Sequence, residues 1–300
     1  MVSIRQVNFK MNNEYDYAME RRLHSLDPEL HRRFTESVFG LQHILSNYLL
    51  IFPTFTDHTE LHSLNVIDFC NKIIGSQLEK LNADEIYSLL MGCYFHDTGM
   101  GIRESDFEEF SKQIDFGDYF ETHSRDCIPD IVRDFHNEYS GLFLQKYSAL
   151  FDIPTQEHLR AIIQISRGHR KTDLFDEKEY PIALPLENGN TICCPYLSAL
   201  IRLADEIDVA AGRNLSFLYD SETLTNEKDI IEFGKHEAIK EVVVLDDKFV
   251  LNIDTNDNFV YNNIEKMAVK MQKTVDECNR AVTGRTPYTI TQKKIELRRI

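Results

Sequence analysis

The chemistry of this chain starts at Phe95-His96-Asp97-Thr98-Gly99-Met100-Gly101, where an imidazole and a carboxylate are adjacent. Both are ligands for divalent transition ions. Sequence neighbours on a helix point about 100° apart, so the two reach one ion only where the helix is ending. Gly99 and Gly101 predict that ending. One His-Asp pair is common and says little alone. Others stand elsewhere. His58 and His62, at i and i+4, can share an ion, flank an anion at a helix N-terminus, or serve as hydrogen-bonded cap histidines. His136 falls between Val132 and Tyr139, beside an apolar stripe where a satisfied core histidine is ordinary. Arg133 and Ser140 lie one turn to either side of it and can meet an anionic ligand. His169 follows Gly168 and precedes Arg170 and Lys171, a place where it can simply complement a helix dipole. Asp205 lies one turn beyond Ile201 and projects from an apolar face. A buried unpaired carboxylate is costly, so it calls for a cation, either Arg202 or a metal.

These residues need helices to carry them. Asp27-Pro28-Glu29 is a helix start, and apolar residues recur at helical spacing from Phe34 until Pro53. His31 and His43 on that helix read as surface or packing histidines. Asp57-His58-Thr59-Glu60 resembles a capping box before a helix running to Ile74. Further helices are predicted over 83–95, 126–150, 155–167 and 196–207, with a short surface helix and loop over 104–118. Residues 171–194 read as a loop with short extended pieces. The tail differs: 241–245 and 248–253 form a predicted hairpin, 258–282 a long amphipathic helix, and 288–300 a strand or docking tail. The fold class is therefore mainly α with a small α+β C-terminal extension. The expected division is an N-terminal extension over 1–40, a helical domain over 41–214 and the α+β part over 215–300. The tail's apolar alternation needs cover, either on the helical domain or on a second copy in a homo-oligomer.

Composition bounds the function. Of 300 residues, 42% are hydrophobic and 11% aromatic, enough to build a large core. The net charge of -16 argues against general nucleic-acid binding, which favours a basic face. A small phosphorylated ligand stays open, because a metal can supply local positive charge. Six cysteines form no CxxC pair, and no signal peptide or long apolar run is present. Reduced thiols in a cytoplasmic protein without membrane attachment are expected. Zinc-finger spacing, GxGxxG, GxxxxGK[ST] and GxSxG are missing.

The order His62, His96-Asp97, Asp205 resembles that of the HD superfamily of metal-dependent phosphohydrolases. The matching stretches are His62-Ser63, Phe95-His96-Asp97-Thr98-Gly99 and Leu203-Ala204-Asp205-Glu206-Ile207-Asp208, within residues 40–212. The resemblance implies an HD-domain helical bundle. It places His62, His96, Asp97 and Asp205 at a first metal site, and His136 and His169 at a second. Asp97 and His96 are then the catalytic centre, with two Mn, Fe, Co, Ni or Zn ions straddling Asp97. Two ions 3.5–4 Å apart serve phosphoester cleavage by activating water and steadying the leaving oxygen. His58, Arg133, Arg170 and Arg103 are the candidates for holding substrate phosphate. The implied activity is a phosphohydrolase or phosphodiesterase acting on a nucleotide-like substrate. The alternatives are a one-metal nucleotidase, with His136 and His169 on phosphate, and a non-catalytic nucleotide-binding regulatory module. Met100 stands where cyclic-dinucleotide phosphodiesterases of the HD-GYP branch carry lysine, and no GYP signature follows. That substrate is therefore not carried over.

Overall fold

The computed structural model describes residues 17–45, 47, 60–125, 127–170, 172–210 and 227–300. Among these it forms eleven α-helices and five short strands. The first two helices, α1 (Ala18–Leu26) and α2 (Pro28–Leu45), are separated by Asp27. The Asp27 carboxylate accepts from the backbone N–H groups of Glu29 and Leu30, both at 3.0 Å. Pro28 fills the first helical position, where no N–H partner is needed.

Helices α3 (Glu60–Ile74) and α4 (Ala83–Phe95) build the centre. Every residue of α4 from Asp84 to Phe95 is buried. A helix apolar on all sides must be covered on all sides, and α1, α2, α3, α8 (Gln156–Arg167) and α9 (Cys194–Ile207) provide the cover. Its start is a capping box between Asn82 and Glu85, which the sequence reading did not find. The proposed box at Asp57-Glu60 begins outside the described residues. Between α4 and α8 in the chain run α5 (Glu104–Phe110), α6 (Tyr119–Thr122) and the long α7 (Ile128–Tyr147). A small ladder, β1 (Leu184–Pro185) with β2 (Thr191–Ile192), precedes α9.

The C-terminal part holds α10 (Glu227–Ala238), β3 (Ile239–Val244), β4 (Lys248–Ile253), α11 (Asn258–Val282) and β5 (Lys294–Arg299). The hairpin appears as expected. The end of the chain is a strand, and it pairs with β4 in parallel. It also docks: Tyr288 donates to Glu85 at 2.6 Å and stacks on Tyr196 with ring centroids 4.3 Å apart. Helix α11 packs along α9, the helix that carries Asp205, so the two parts share one core. The expected boundary near 215 lies outside the described residues. All cysteines among the described residues are free, and no helix there is long and apolar enough to cross a membrane.

Candidate metal centre

Six of the sequence candidates meet in one place. His62 comes from α3, and His96 caps the C-terminus of α4. Asp97 follows with φ -107° and ψ 6°, leaving the helix direction through the sparsely allowed bridge region. The next turn, Thr98–Gly101, lies against α7. Ser140 on α7 accepts from the Gly99 N–H at 2.8 Å and donates to the His96 carbonyl at 2.7 Å. Ser140 is therefore a fastener for the turn, not the anion contact expected of it. Neither Gly99 nor Gly101 has a positive φ. Gly99 is required for another reason: a Cβ there would collide with the His136 carbonyl oxygen. Gly168 acts alike, since its Cβ would collide with the Ser198 side chain of α9. Both glycines let helices approach closely enough for His136 and His169 to reach the site.

The tautomers of all four histidines are set by what Nδ1 meets. Nδ1–H of His96, His136 and His169 donates to the carbonyls of Cys93, Arg133 and Ser166, at 2.8, 2.7 and 2.6 Å. His62 Nδ1 meets Asp208 Oδ2 at 2.7 Å. A carbonyl or an ionised carboxylate only accepts, so each ring, when neutral, carries its proton on Nδ1 and presents a lone pair at Nε2. These lone pairs face each other. His62 and His96 have Nε2 atoms 3.1 Å apart, and His136 and His169 have theirs 2.8 Å apart. Two such nitrogens repel unless a cation lies between them. Adjacent ligands on one ion with metal–nitrogen bonds of about 2.1 Å would be roughly 3.0–3.4 Å apart. The residues fit a metal.

Asp97 joins the two pairs. Its Oδ2 is 3.3 Å from His62 Nε2 and 3.4 Å from His96 Nε2. Its Oδ1 is 3.3 Å from His136 Nε2 and 3.9 Å from His169 Nε2. Asp205 completes the first group, with Oδ1 at 3.2 Å from His62 Nε2 and 4.0 Å from His96 Nε2. Burial, with the fields of His136 and His96, holds the His169 imidazole well below its ordinary value and so neutral. Burial opposes the charge on Asp205, but the neighbouring histidines, His62 foremost, outweigh this and keep the carboxyl well below the usual range. Neutral imidazoles and ionised carboxylates are the forms a metal takes as ligands.

Asp97, His136 and Asp205 line a cavity of about 490 Å³. Arg170 lines it as expected, while Arg133 and Arg103 do not. Arg133 pairs with Asp130 at 3.3 Å. Arg103 turns to Asp106 at 3.0 Å and to the Tyr147 hydroxyl. His58 lies outside the described residues. Arg202 does not pair with Asp205. It donates to the carbonyls of Gly168 and Thr172, at 2.7 and 2.8 Å, and so pins the loop that carries His169.

Two contributions were missed. Asp208 stands three residues after Asp205 inside the quoted stretch, and that spacing was its signal. Lys235, Lys266 and Lys270 reach the cavity from α10 and α11, with nothing in the sequence to separate them from ordinary surface lysines.

Comparison with curated proteins and with solved structures gave no match. A family model does match: HD-CE, over residues 52–259. That span holds every residue of the metal centre, and the chain belongs to the HD-CE family, an HD-domain-related family.

Proposed function

We propose that this chain is a metal-dependent hydrolase that cleaves a phosphate ester of a small nucleotide-like molecule, with two divalent ions seated on either side of Asp97. One observation carries the reading: the two carboxylate oxygens of Asp97 each face a separate histidine pair. Bound ions of this type supply Lewis acidity toward a phosphoryl oxygen and bring the pKa of a water toward neutrality. The chain supplies the rest. His62, His96, Asp97 and Asp205 would hold one ion; Asp97, His136 and His169 would hold the other. Asp208 keeps the His62 Nε2 lone pair inward, and Arg170 offers positive charge at the rim.

The one-ion alternative would set His136 and His169 against substrate phosphate. An anion needs donors there. Both Nδ1–H groups are engaged by the Arg133 and Ser166 carbonyls, and burial keeps His169 from protonating. The same atoms suit a cation.

The test is a hydrolysis screen over mono-, di- and cyclic nucleotides with Mn²⁺, Fe²⁺, Co²⁺ and Ni²⁺, with metal content measured per chain. Turnover that needs the metal and stops on chelation is expected, at two ions per chain. Full metal occupancy with no turnover on any phosphate ester would leave a binding module instead.

A further inference from the structure

We infer that α10 and α11 build a distal phosphate subsite over the metal centre, so that the substrate carries a chain of phosphates rather than a single one. The inference rests on the hydrolase reading for its role, but its chemistry stands on the cavity wall. The chain is strongly acidic, yet Arg170, Lys235, Lys266 and Lys270 converge on this one cavity. Lys266 and Lys270 are one turn apart on α11 and share a face. Lys235 arrives from α10 and Arg170 from the loop beside His169.

Their acidic neighbours leave much of this charge available. Lys235 is matched by Glu232 at 2.7 Å. Lys270 has Glu206 only at 3.8 Å. Arg170 and Lys266 make no ion pair among the described residues. Asp97 and Asp205 are directed to the metal positions.

The rest of the lining favours a charge-reading site. Among the described residues, Val209, Ile231 and Met267 are its apolar members, and none of its lining is Phe or Tyr on which a base could stack. Phosphate recognition by lysine is a point-charge interaction that tolerates varied attachments. The class of ligand is therefore an oligophosphate, or an ester ending in one.

Calorimetry with sodium tripolyphosphate and with orthophosphate, on metal-free full-length protein, reads the subsite without turnover. Tripolyphosphate should bind the parent more tightly than orthophosphate. Lys266→Gln with Lys270→Gln should weaken tripolyphosphate at least about tenfold. The matched control is Lys273→Gln with Arg280→Gln, which removes the same charge from the same helix. Those two line a separate depression, so this pair should change nothing. Equal losses in both double variants, no loss in either, or no tripolyphosphate binding by the parent would overturn the subsite. In the metal-loaded protein, the Lys266/Lys270 variant should raise KM for a triphosphate ester but not for a monophosphate ester. If no ester turns over at all, the hydrolase reading fails while the calorimetry still decides the subsite.

Discussion

Asp208 Oδ2 lies 2.7 Å from Nδ1 of His62, a residue 146 positions earlier in the chain. Asp208 is buried at the C-cap of α9, and its other oxygen is 3.4 Å from the Asn65 amide. A carboxylate behind a ligating histidine fixes the ring and raises its basicity, and removing such a partner costs about 10–100-fold in metal affinity. Asp208→Asn should therefore weaken metal binding by roughly that factor while the chain still fills with metal at saturation. A metal titration of parent and variant checks this, and equal affinities would show that Asp208 only stabilises the fold.

The second metal position stands or falls on stoichiometry. His136→Ala and His169→Ala each remove one of the two imidazoles facing Asp97 Oδ1. Each should bring metal content from two ions to one per chain, keep the far-ultraviolet circular dichroism of the parent, and lower turnover by orders of magnitude. Asp97→Asn should disturb both ions, since both groups use that side chain. A parent and variants all holding one equivalent would remove the second position from the mechanism.

These expectations were legible because helical periodicity is a local signal. The helix over 258–282 and the hairpin can be read from spacing alone, and so could the chain order of the ligands. What the sequence withheld is contact between distant segments. Arg202 stands three residues, about one turn, before Asp205 and reads as one possible partner for it beside a metal, yet the rotation of α9 sends it to the Gly168 and Thr172 carbonyls. Gly99 reads as a helix stop, whereas the cause of its presence is the close passage of α7. The lysines of α10 and α11 are invisible as site residues until α11 is laid along α9.

Acid sensitivity should have a source remote from the metal. Asp84 is buried and accepts from His158 Nε2 at 2.9 Å, Asn190 at 2.7 Å and Asn188 at 3.1 Å. Burial alone would raise its carboxyl, but these bonds prevail and hold it below its ordinary 3.8. A carboxylate depressed by folding contributes stability that is present above its unfolded value and is lost as pH falls through the folded one. The gap between parent and Asp84→Asn should thus be about 1–3 kcal/mol at pH 7, and should shrink as pH drops below 3.8. Denaturant melts of both proteins, metal-free to keep ligand loss out of the comparison, give the two numbers. A gap that stays constant into acid would mean that Asp84 acts through shape and not through charge.

Arg202 offers the sharpest separation of the two metal positions, because it touches neither. Its guanidinium is buried and holds the Gly168 carbonyl with Nε and the Thr172 carbonyl and hydroxyl with Nη2, bracketing His169. Arg202→Met keeps much of the side chain's length and removes those donors, leaving two carbonyls without their partner. An unsatisfied buried acceptor costs about 1–3 kcal/mol, and the local response is for the loop to move. His169 moves with it, whereas His62, His96 and Asp205 are held by α3, α4 and α9 themselves. A stepwise metal titration should therefore show the tighter ion bound as in the parent and the weaker one shifted by tenfold or more. Thermal melting at full metal reports the fold independently. Equal weakening of both ions would show that α9 itself had shifted, and an unchanged titration would show that the loop holds His169 without Arg202.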